Sequence, residues 1–423
     1  MSSTPVPVGR PPSPPRGWNS WDCYGTTVTE EEVLANARFM AEHLLPHGWD
    51  TVVVDIQWYA ASVGAGGYHP DADVQLDAWG RPVPEVSRFP SAADGRGFAP
   101  LADQVHALGL RFGVHIMRGI PRRAAEQRLP VLGTQVTAAD LADPQQGCSW
   151  NPDNAGVRAD HPDAAAWYAS VAQQLAGWGV DFVKADDMLW PYRAWDIEAL
   201  STALAATGRP IELSLSPGVD VSTTRAEHLA RHATMWRISN DLWDSWDDVT
   251  DMFARLARWA PLSRPGAFAD ADMLPLGRVG IRAEVGTDRT SRLTWAEQRT
   301  LLTLWGIGRS PFFVGGDLPT SPPETIAMLQ NPLLLAVNFA ATEPREVLRE
   351  RDHVLWTARL GEELVVAVFA VGPEPLRRTI PLASVAGEGR TRAREAWTGA
   401  EVDVTDGIAV DLASHDAALL LLS

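Results

Sequence analysis

The chain has 423 residues, is 45% hydrophobic and carries a formal net charge of -17. That excess of acid argues against nucleic-acid or anionic-membrane binding, both of which need basic patches. No apolar run approaches the roughly 18 residues of a membrane-spanning helix. The two cysteines, Cys23 and Cys148, give no zinc spacing, redox motif or disulfide framework.

Residues 1–16 are rich in Pro and Ser, with no basic start and no apolar stretch. They read as a disordered leader rather than a signal peptide, and the protein as cytoplasmic. Gly17-Trp18-Asn19-Ser20-Trp21-Asp22 opens the ordered part as a short strand. Thr29 with Glu32 forms a capping box. Val33, Ala37, Met40 and Leu44 then mark one face of a helix that Pro46 and Gly48 stop. Thr51–Tyr59 begins as a continuous apolar run, as in a strand buried on both faces, and ends in Asp55, Gln57 and Trp58.

A Gly- and Pro-rich insertion, 60–95, precedes a helix over Phe98–Leu108 and a strand over Arg111–Met117. Residues 118–162 are irregular. Asp163–Trp178 reads as a helix, followed by the strand Asp181-Phe182-Val183-Lys184-Ala185-Asp186-Asp187. The alternation continues with helix Ala194–Ala206, strand Pro210–Ser216, helix Arg225–His232, strand Met235–Ser239 and helix Trp246–Trp259. A weak strand (Ala267–Leu274), helix Trp295–Gly306, strand Pro311–Val314 and helix Pro322–Gln330 complete it. Eight strands alternating with helices predict an α/β fold, a (β/α)8 TIM barrel over 17–341. No G-x-G-x-x-G follows the first strands, which disfavours an open doubly wound sheet. Over 342–423 six short strands at Leu355–Arg359, Glu363–Ala370, Arg377–Pro381, Arg392–Trp397, Ile408–Leu412 and Ala417–Leu422 predict a small C-terminal antiparallel β-sandwich.

A barrel keeps its chemistry at the C-terminal ends of its strands. Those ends bring Trp21 and Asp22, Asp55, His115 and Arg118, Lys184 and Asp186, Ser216, Arg237 and Asp241, and Asp270 and Asp272. Polar strand ends are common in any barrel, but together these describe an acidic pocket with three cations. The 18 tryptophans against five tyrosines serve mostly the core, and also lean towards sugar stacking. No H-x-H, H-E-x-x-H or G-x-S-x-G occurs, so metallohydrolase and serine-hydrolase chemistry lack their motifs. Asp270-Ala271-Asp272 also suits Ca²⁺, but a lone D-x-D is common. No metal or organic cofactor is expected.

Two carboxylates facing one pocket fit glycoside hydrolysis. Lys184 and Asp186 are two apart in a strand and share a side, so the lysine favours an ionised Asp186, suited to attack. Asp241 lies among Trp236, Trp243 and Trp246, an aromatic surround that would raise its pKa and suit an acid, with Arg237 opposing.

The stretches GWNSW (17–21), VVVDIQW (52–58), GLRFGVHIM (109–117), GWGVDFVKADD (177–187), WRISND (236–241) and DADMLPLG (270–277) resemble the α-galactosidase (melibiase) family, glycoside hydrolase family 27. They run in order over residues 1–340, and a β-sandwich follows in that family too. The resemblance implies a retaining exo-glycosidase acting on terminal α-galactoside-like residues. It implies Asp186 as nucleophile and Asp241 as acid/base. Trp21, Asp55, Lys184, Arg237 and Asp272 become sugar contacts, and Trp58, His115, Arg118 and Ser216 are grouped with them.

Four departures stand out. Ile56 replaces the second of two aspartates that read the 4- and 6-hydroxyls. Ser216 stands where a Glu, or a Ser in the N-acetylgalactosaminidase branch, reads the 2-position. His115 replaces a tyrosine, and of the family's cysteine pair Cys148 is kept while Met188 stands where its partner would be. A β-L-arabinopyranosidase, whose sugar lacks the hydroxymethyl group, is one alternative. An α-N-acetylgalactosaminidase is another, and a catalytically inactive sugar-binding protein the third. The partner expected is a carbohydrate substrate; the sequence leaves the oligomeric state open, a homo-oligomer included.

Overall fold

The computed structural model describes residues 11–70 and 72–423. Eight strands form one parallel sheet: β1 (Arg16–Asn19), β2 (Thr51–Val54), β3 (Arg111–Met117), β4 (Phe182–Asp186), β5 (Glu212–Leu215), β6 (Met235–Arg237), β7 (Phe268–Asp270) and β8 (Phe312–Val314). Their order is β7-β6-β5-β4-β3-β2-β1-β8, so successive strands are neighbours throughout. The two ends of the sheet meet just beyond β7, where the Leu274 amide donates to the Phe313 carbonyl at 2.7 Å. Helices connect the strands: α1 (Glu30–His43), α2 (Ala99–Ala107), α3 (Ala164–Gly177), α4 (Ala194–Ala206), α5 (Ala226–His232), α6 (Trp246–Trp259) and α7 (Trp295–Gly308).

The local signals act as expected. Thr29 and Glu32 close the capping box of α1, and Gly48 takes the left-handed conformation (φ 82°) that ends the turn after it. β2 is Thr-Val-Val-Val with every residue buried, as a strand packed on both faces must be. Element ends shift by a residue or more. The strand expected over Ala267–Leu274 narrows to Phe268–Asp270, because Asp272 takes φ 93° and breaks the ladder. The strand expected to run to Tyr59 stops at Val54, since Gln57 (φ 61°) turns the chain.

Other expectations need correction. The leader was expected to reach residue 16, but Arg16 begins β1 and is buried, its guanidinium donating to Asn338 and to the Leu335 carbonyl. Residues 1–10 lie outside the described residues. The irregular 118–162 stretch contains a three-stranded sheet of Ile120–Pro121, Asn154–Val157 and Ala142–Asp143. Beyond α8 (Pro323–Leu329) a further helix, α9 (Pro332–Ala340), was missed. Its apolar run lacks a clear period, but Asn331 caps it and Pro332 sits at its first turn.

The C-terminal part is antiparallel. β9 (Thr342–Arg349), β10 (His353–Leu360), β11 (Glu363–Ala370), β13 (Arg392–Glu395), β14 (Glu401–Asp403) and β16 (Ala417–Leu422) form a sheet in the order β9-β10-β11-β16-β13-β14. β12 (Leu376–Ile380) and β15 (Ile408–Leu412) pair separately, and apolar side chains of both sheets share one cluster. No helix among the described residues is long and apolar enough to cross a membrane.

The two parts are joined at the turn before β16. Arg299 of α7 grips Asp416 through two hydrogen bonds of 2.8 and 2.6 Å. Thr300 donates to the His415 carbonyl, and the His415 ring stacks 4.1 Å from Trp246. Asp416→Ala is expected to lower the unfolding free energy by about 1–3 kcal/mol, the cost of losing a half-buried bidentate ion pair. Urea denaturation checks this, with glycosidase activity in native buffer unchanged.

Candidate active site

Strand register assembles the site. Val54 pairs with Val114, and His115 with Lys184 and Met117 with Asp186. Residues in register point to the same side, so Asp55, His115 and Lys184 form one inward row, with Met117 and Asp186 in the next row up. Lys184 Nζ donates to Asp55 Oδ2 at 2.8 Å, and Asn19 donates to the same oxygen at 2.7 Å. The Ile56 amide takes Asp55 Oδ1 at 2.7 Å. Burial pushes the Asp55 carboxyl up, but Lys184 and then His115 outweigh it and hold the pKa at about 2. Burial disfavours the Lys184 charge, yet Asp55, Asp186 and Asp241 hold it well above the usual lysine value.

Asp186 is 7% exposed. Its Oδ1 accepts the Asp187 amide at 2.9 Å, and His115 Nε2 lies 3.2 Å from its Oδ2. Burial raises its pKa; the His115 hydrogen bond and charge, Lys184 and the Asp187 amide more than reverse this, so it sits below the usual carboxylate range. The chain reverses at Asp187 (φ 61°) directly after it.

Arg237 lies between two carboxylates. Its guanidinium is 3.1 Å from Asp241 Oδ1 and 2.7 Å from Asp272 Oδ1. Asp272 is buried, and its Oδ2 accepts the Leu242 amide at 2.6 Å, tying the Asp241 loop down. Burial raises the Asp272 pKa. The Asp241 side chain is 39% exposed. Asp241 and Asp186 act on common neighbours: both charges help hold the Lys184 ammonium ionised and help push the Tyr68 hydroxyl up.

An apolar wall flanks these carboxylates. Trp21 stacks on Tyr68 with centroids 5.1 Å apart, and Tyr68 meets Trp150 at 4.9 Å. Ile56, Met117 and Met273 are buried in the same cluster as Trp21, with Tyr68, Cys148, Trp150 and Trp243 packed against it. A buried carboxylate pair beside a lysine, an exposed carboxylate on an arginine, and stacked aromatics suit a sugar ring.

The family described as alpha galactosidase A (Melibiase_2) matches residues 153–340. A β-L-arabinopyranosidase of glycoside hydrolase family 27 from Geobacillus stearothermophilus is 43% identical, with a TM-score of 0.95 over 97% of this chain and 96% of that one. The chain belongs to glycoside hydrolase family 27. It is a glycoside hydrolase with a carbohydrate substrate. More distant relatives are the α-N-acetylgalactosaminidase of Rattus norvegicus, 27% identical over 84% of this chain and 76% of that protein, and the α-galactosidase of Cyamopsis tetragonoloba, 25% identical over 97% and 86%.

In this family 27 chain Asp55, Lys184 and Asp186 lie together at the strand ends with Arg237, Asp241 and Asp272 beside them, and Trp21 stands in the apolar wall. Four expectations change. Trp58 is 2% exposed and packs edge-on against Tyr59, Phe98 and Trp178, so it belongs to the core and reaches the site only by donating to the His115 carbonyl. Arg118 is 2% exposed and paired at 2.6 Å with Asp187, bracing the turn after the Asp186 strand. His115 is fully buried and touches Asp186, a holder of that carboxylate rather than an open sugar contact. Of the three tryptophans expected around Asp241, Trp236 packs on Trp259 in the core and Trp246 on His415, while Trp243 packs against the apolar wall. Ser216 is buried at the end of β5, and its hydroxyl has no protein partner.

Tyr68 and Trp150 were missed. They sit in loops without periodic pattern, and the only available signal was that these loops follow β2 and β3, whose C-terminal ends form the barrel mouth. Asp22 stood among the strand-end residues but received no role. Its buried carboxyl lies well above the usual range, raised by burial and then by Asp272 and Asp241. Among the described residues, the groups able to hold a metal are Glu198, His228 and His232, and Glu350, Asp352 and His353; the Asp270–Asp272 pair is in neither.

Lys184→Met leaves Asp55 charged and buried without its partner, which costs about 3–5 kcal/mol at pH 7. In the wild type, Asp55 is depressed to about 2, so its stabilisation is present above the unfolded value near 3.9 and is lost as pH falls through about 2. In the variant Asp55 protonates at higher pH, so the deficit should narrow as pH is lowered from 7 towards 4. Chemical denaturation over that series checks both the size and the slope.

Proposed function

We propose that this enzyme is a retaining exo-β-L-arabinopyranosidase working by double displacement. The observation that carries the substrate is Ile56, 1% exposed within the apolar cluster that holds Trp21, Met117 and Met273. A β-L-arabinopyranoside has the ring stereochemistry of an α-D-galactoside, with hydrogen in place of the hydroxymethyl group. Ile56 offers that missing group no acceptor. Burying a galactose 6-hydroxyl there unpaired would cost about 1–3 kcal/mol, whereas arabinose has nothing to pair. The 43% identical relative is a β-L-arabinopyranosidase, which supports the same reading. α-Galactoside hydrolysis is the second reading. Ser216 with its unpartnered hydroxyl favours a third, α-N-acetylgalactosaminide, supported by the 27% identical relative.

In the first step the Asp186 carboxylate attacks the anomeric carbon, the bond to the leaving oxygen breaks, and that oxygen takes a proton from Asp241. In the second step a water attacks the anomeric carbon, Asp241 accepts its proton, and the ester to Asp186 breaks. Two inversions give retention. His115 and the Asp187 amide hold Asp186 in line. Lys184 and Arg237, already ionised, are the hydroxyl donors and fix the ring. Asp241 is reached from solvent, as a residue that exchanges a proton in each half-reaction requires. The scaffold reads as a closed (β/α)8 barrel over 17–341 carrying a β-sandwich over 342–423.

A panel of aryl glycosides tests the substrate. The β-L-arabinopyranoside should exceed the α-galactoside in kcat/KM, and Ile56→Asp should move the ratio towards galactose by about 10–100-fold. An α-galactoside preferred by the wild type would sink the assignment.

A second experiment tests the roles. Asp186→Asn should abolish turnover of every substrate. Asp241→Asn should lose glycosides with poor leaving groups yet still form the glycosyl-enzyme from an activated aryl glycoside. Azide, which needs no general base, should then release a glycosyl azide of retained configuration. Azide rescue of the Asp186 variant instead, with inversion, would exchange the two roles.

A further inference from the structure

The outer helical layer carries a cluster that glycoside cleavage leaves unused. His228 and His232 lie one turn apart on α5, so both imidazoles share a face. Glu198 comes from α4, and one ligand atom from each of the three residues lies within 4.8 Å of the others. Each imidazole is held at Nδ1 by a hydroxyl, His228 by Tyr192 at 2.6 Å and His232 by Ser201 at 2.7 Å. Metal-binding imidazoles are fixed in this manner, through the nitrogen that does not face the ion. His228 Nε2 is already 3.0 Å from Glu198 Oε1. Tetrahedral ligands at about 2.0–2.2 Å from a zinc ion sit roughly 3.3 Å apart, close to this one separation, and the remaining pairs lie within 4.8 Å. A simple ion pair would account for Glu198 and His228. A second imidazole stands at helical spacing, its ring 4.7 Å from the first and with its own hydroxyl hold.

We propose that Glu198, His228 and His232 form a site for a zinc-class divalent ion, bound by two imidazole nitrogens and one carboxylate oxygen. Nitrogen-rich sets of this kind suit Zn²⁺ and its neighbours, whereas Ca²⁺ and Mg²⁺ take oxygen. The ion joins α4 to α5. It also anchors Tyr192, which bridges Leu189 in the segment between the Asp186 strand and α4 and carries the Arg225 guanidinium 4.5 Å over its ring. Its role is to stabilise that segment, apart from the double displacement itself.

The test uses full-length, tag-free protein stripped with a chelator and titrated with Zn²⁺ by calorimetry at pH 7.5, with Tm followed in parallel. One equivalent should bind at micromolar Kd or tighter and raise Tm, and Ca²⁺ should do neither. Tyr192→Phe should weaken binding about 10–100-fold, and His228→Ala and His232→Ala by more. All three should keep the wild-type circular dichroism and aryl-glycoside turnover without added metal. Should an alanine variant fail to fold, Glu198→Gln, which keeps the side-chain shape and removes the charge, must still weaken Zn²⁺ binding. Absence of stoichiometric binding by the wild type, or equal binding by the His228→Ala/His232→Ala double variant, overturns the proposal.

Discussion

The structure of this site depends on one buried ion pair, Lys184 with Asp55. Both groups are desolvated, and each remains charged because the other is within 2.8 Å. The pair joins the ends of β2 and β4 across β3, and Asn19 extends it to β1. A cation fixed at this depth does two things. It helps keep Asp186 ionised in a place where burial alone would protonate it, and it leaves ammonium protons for a hydroxyl. The other cation, Arg237, holds Asp272 below and Asp241 at the rim in the same manner. The acidic side chains at the barrel mouth are tolerable because these two cations are buried among them.

Against that polar frame stands an aromatic and aliphatic wall. Ile56 follows Asp55 directly, so one residue of the pair grips the lysine while the next faces Trp21 and the methionines. A polar atom on one side of the ring and an apolar surface on the other make a pyranose recognisable without a large number of contacts. The loops that supply Tyr68 and Trp150 are pinned from below: Gln57 binds the His69 backbone and, with Tyr59, Asp153. Their rigidity comes from buried hydrogen bonds rather than from regular structure.

Much of this was legible in the sequence because it is local. A run such as Thr-Val-Val-Val can only be a strand buried on both faces, the Thr29–Glu32 box starts a helix wherever it stands, and eight alternations of strand and helix leave few architectures. The K-x-D spacing puts Lys184 and Asp186 on one side of a strand, and the strand-end positions together with the family resemblance named the other candidate residues. What each one touches could not be read in this way. Lys184 was read as the cation beside Asp186, and its charge does act there, but its hydrogen-bonded partner is Asp55, distant in sequence. Trp58, His115 and Arg118 stand at strand ends like Asp55, Lys184 and Asp186, yet pack outward, inward or sideways according to neighbours that only folding brings. Of the tryptophans near Asp241 in sequence, Trp236 and Trp246 turn to other partners and only Trp243 joins the apolar wall. The sequence by itself determined the main alternation of strands and helices, their order and the chemical types at the strand ends, since these follow from periodicity and residue chemistry. Only the tertiary structure decided which charges pair, which aromatics stack beside the carboxylates and which carboxylate is open to solvent, because ion pairing and burial are set by groups far apart in the chain.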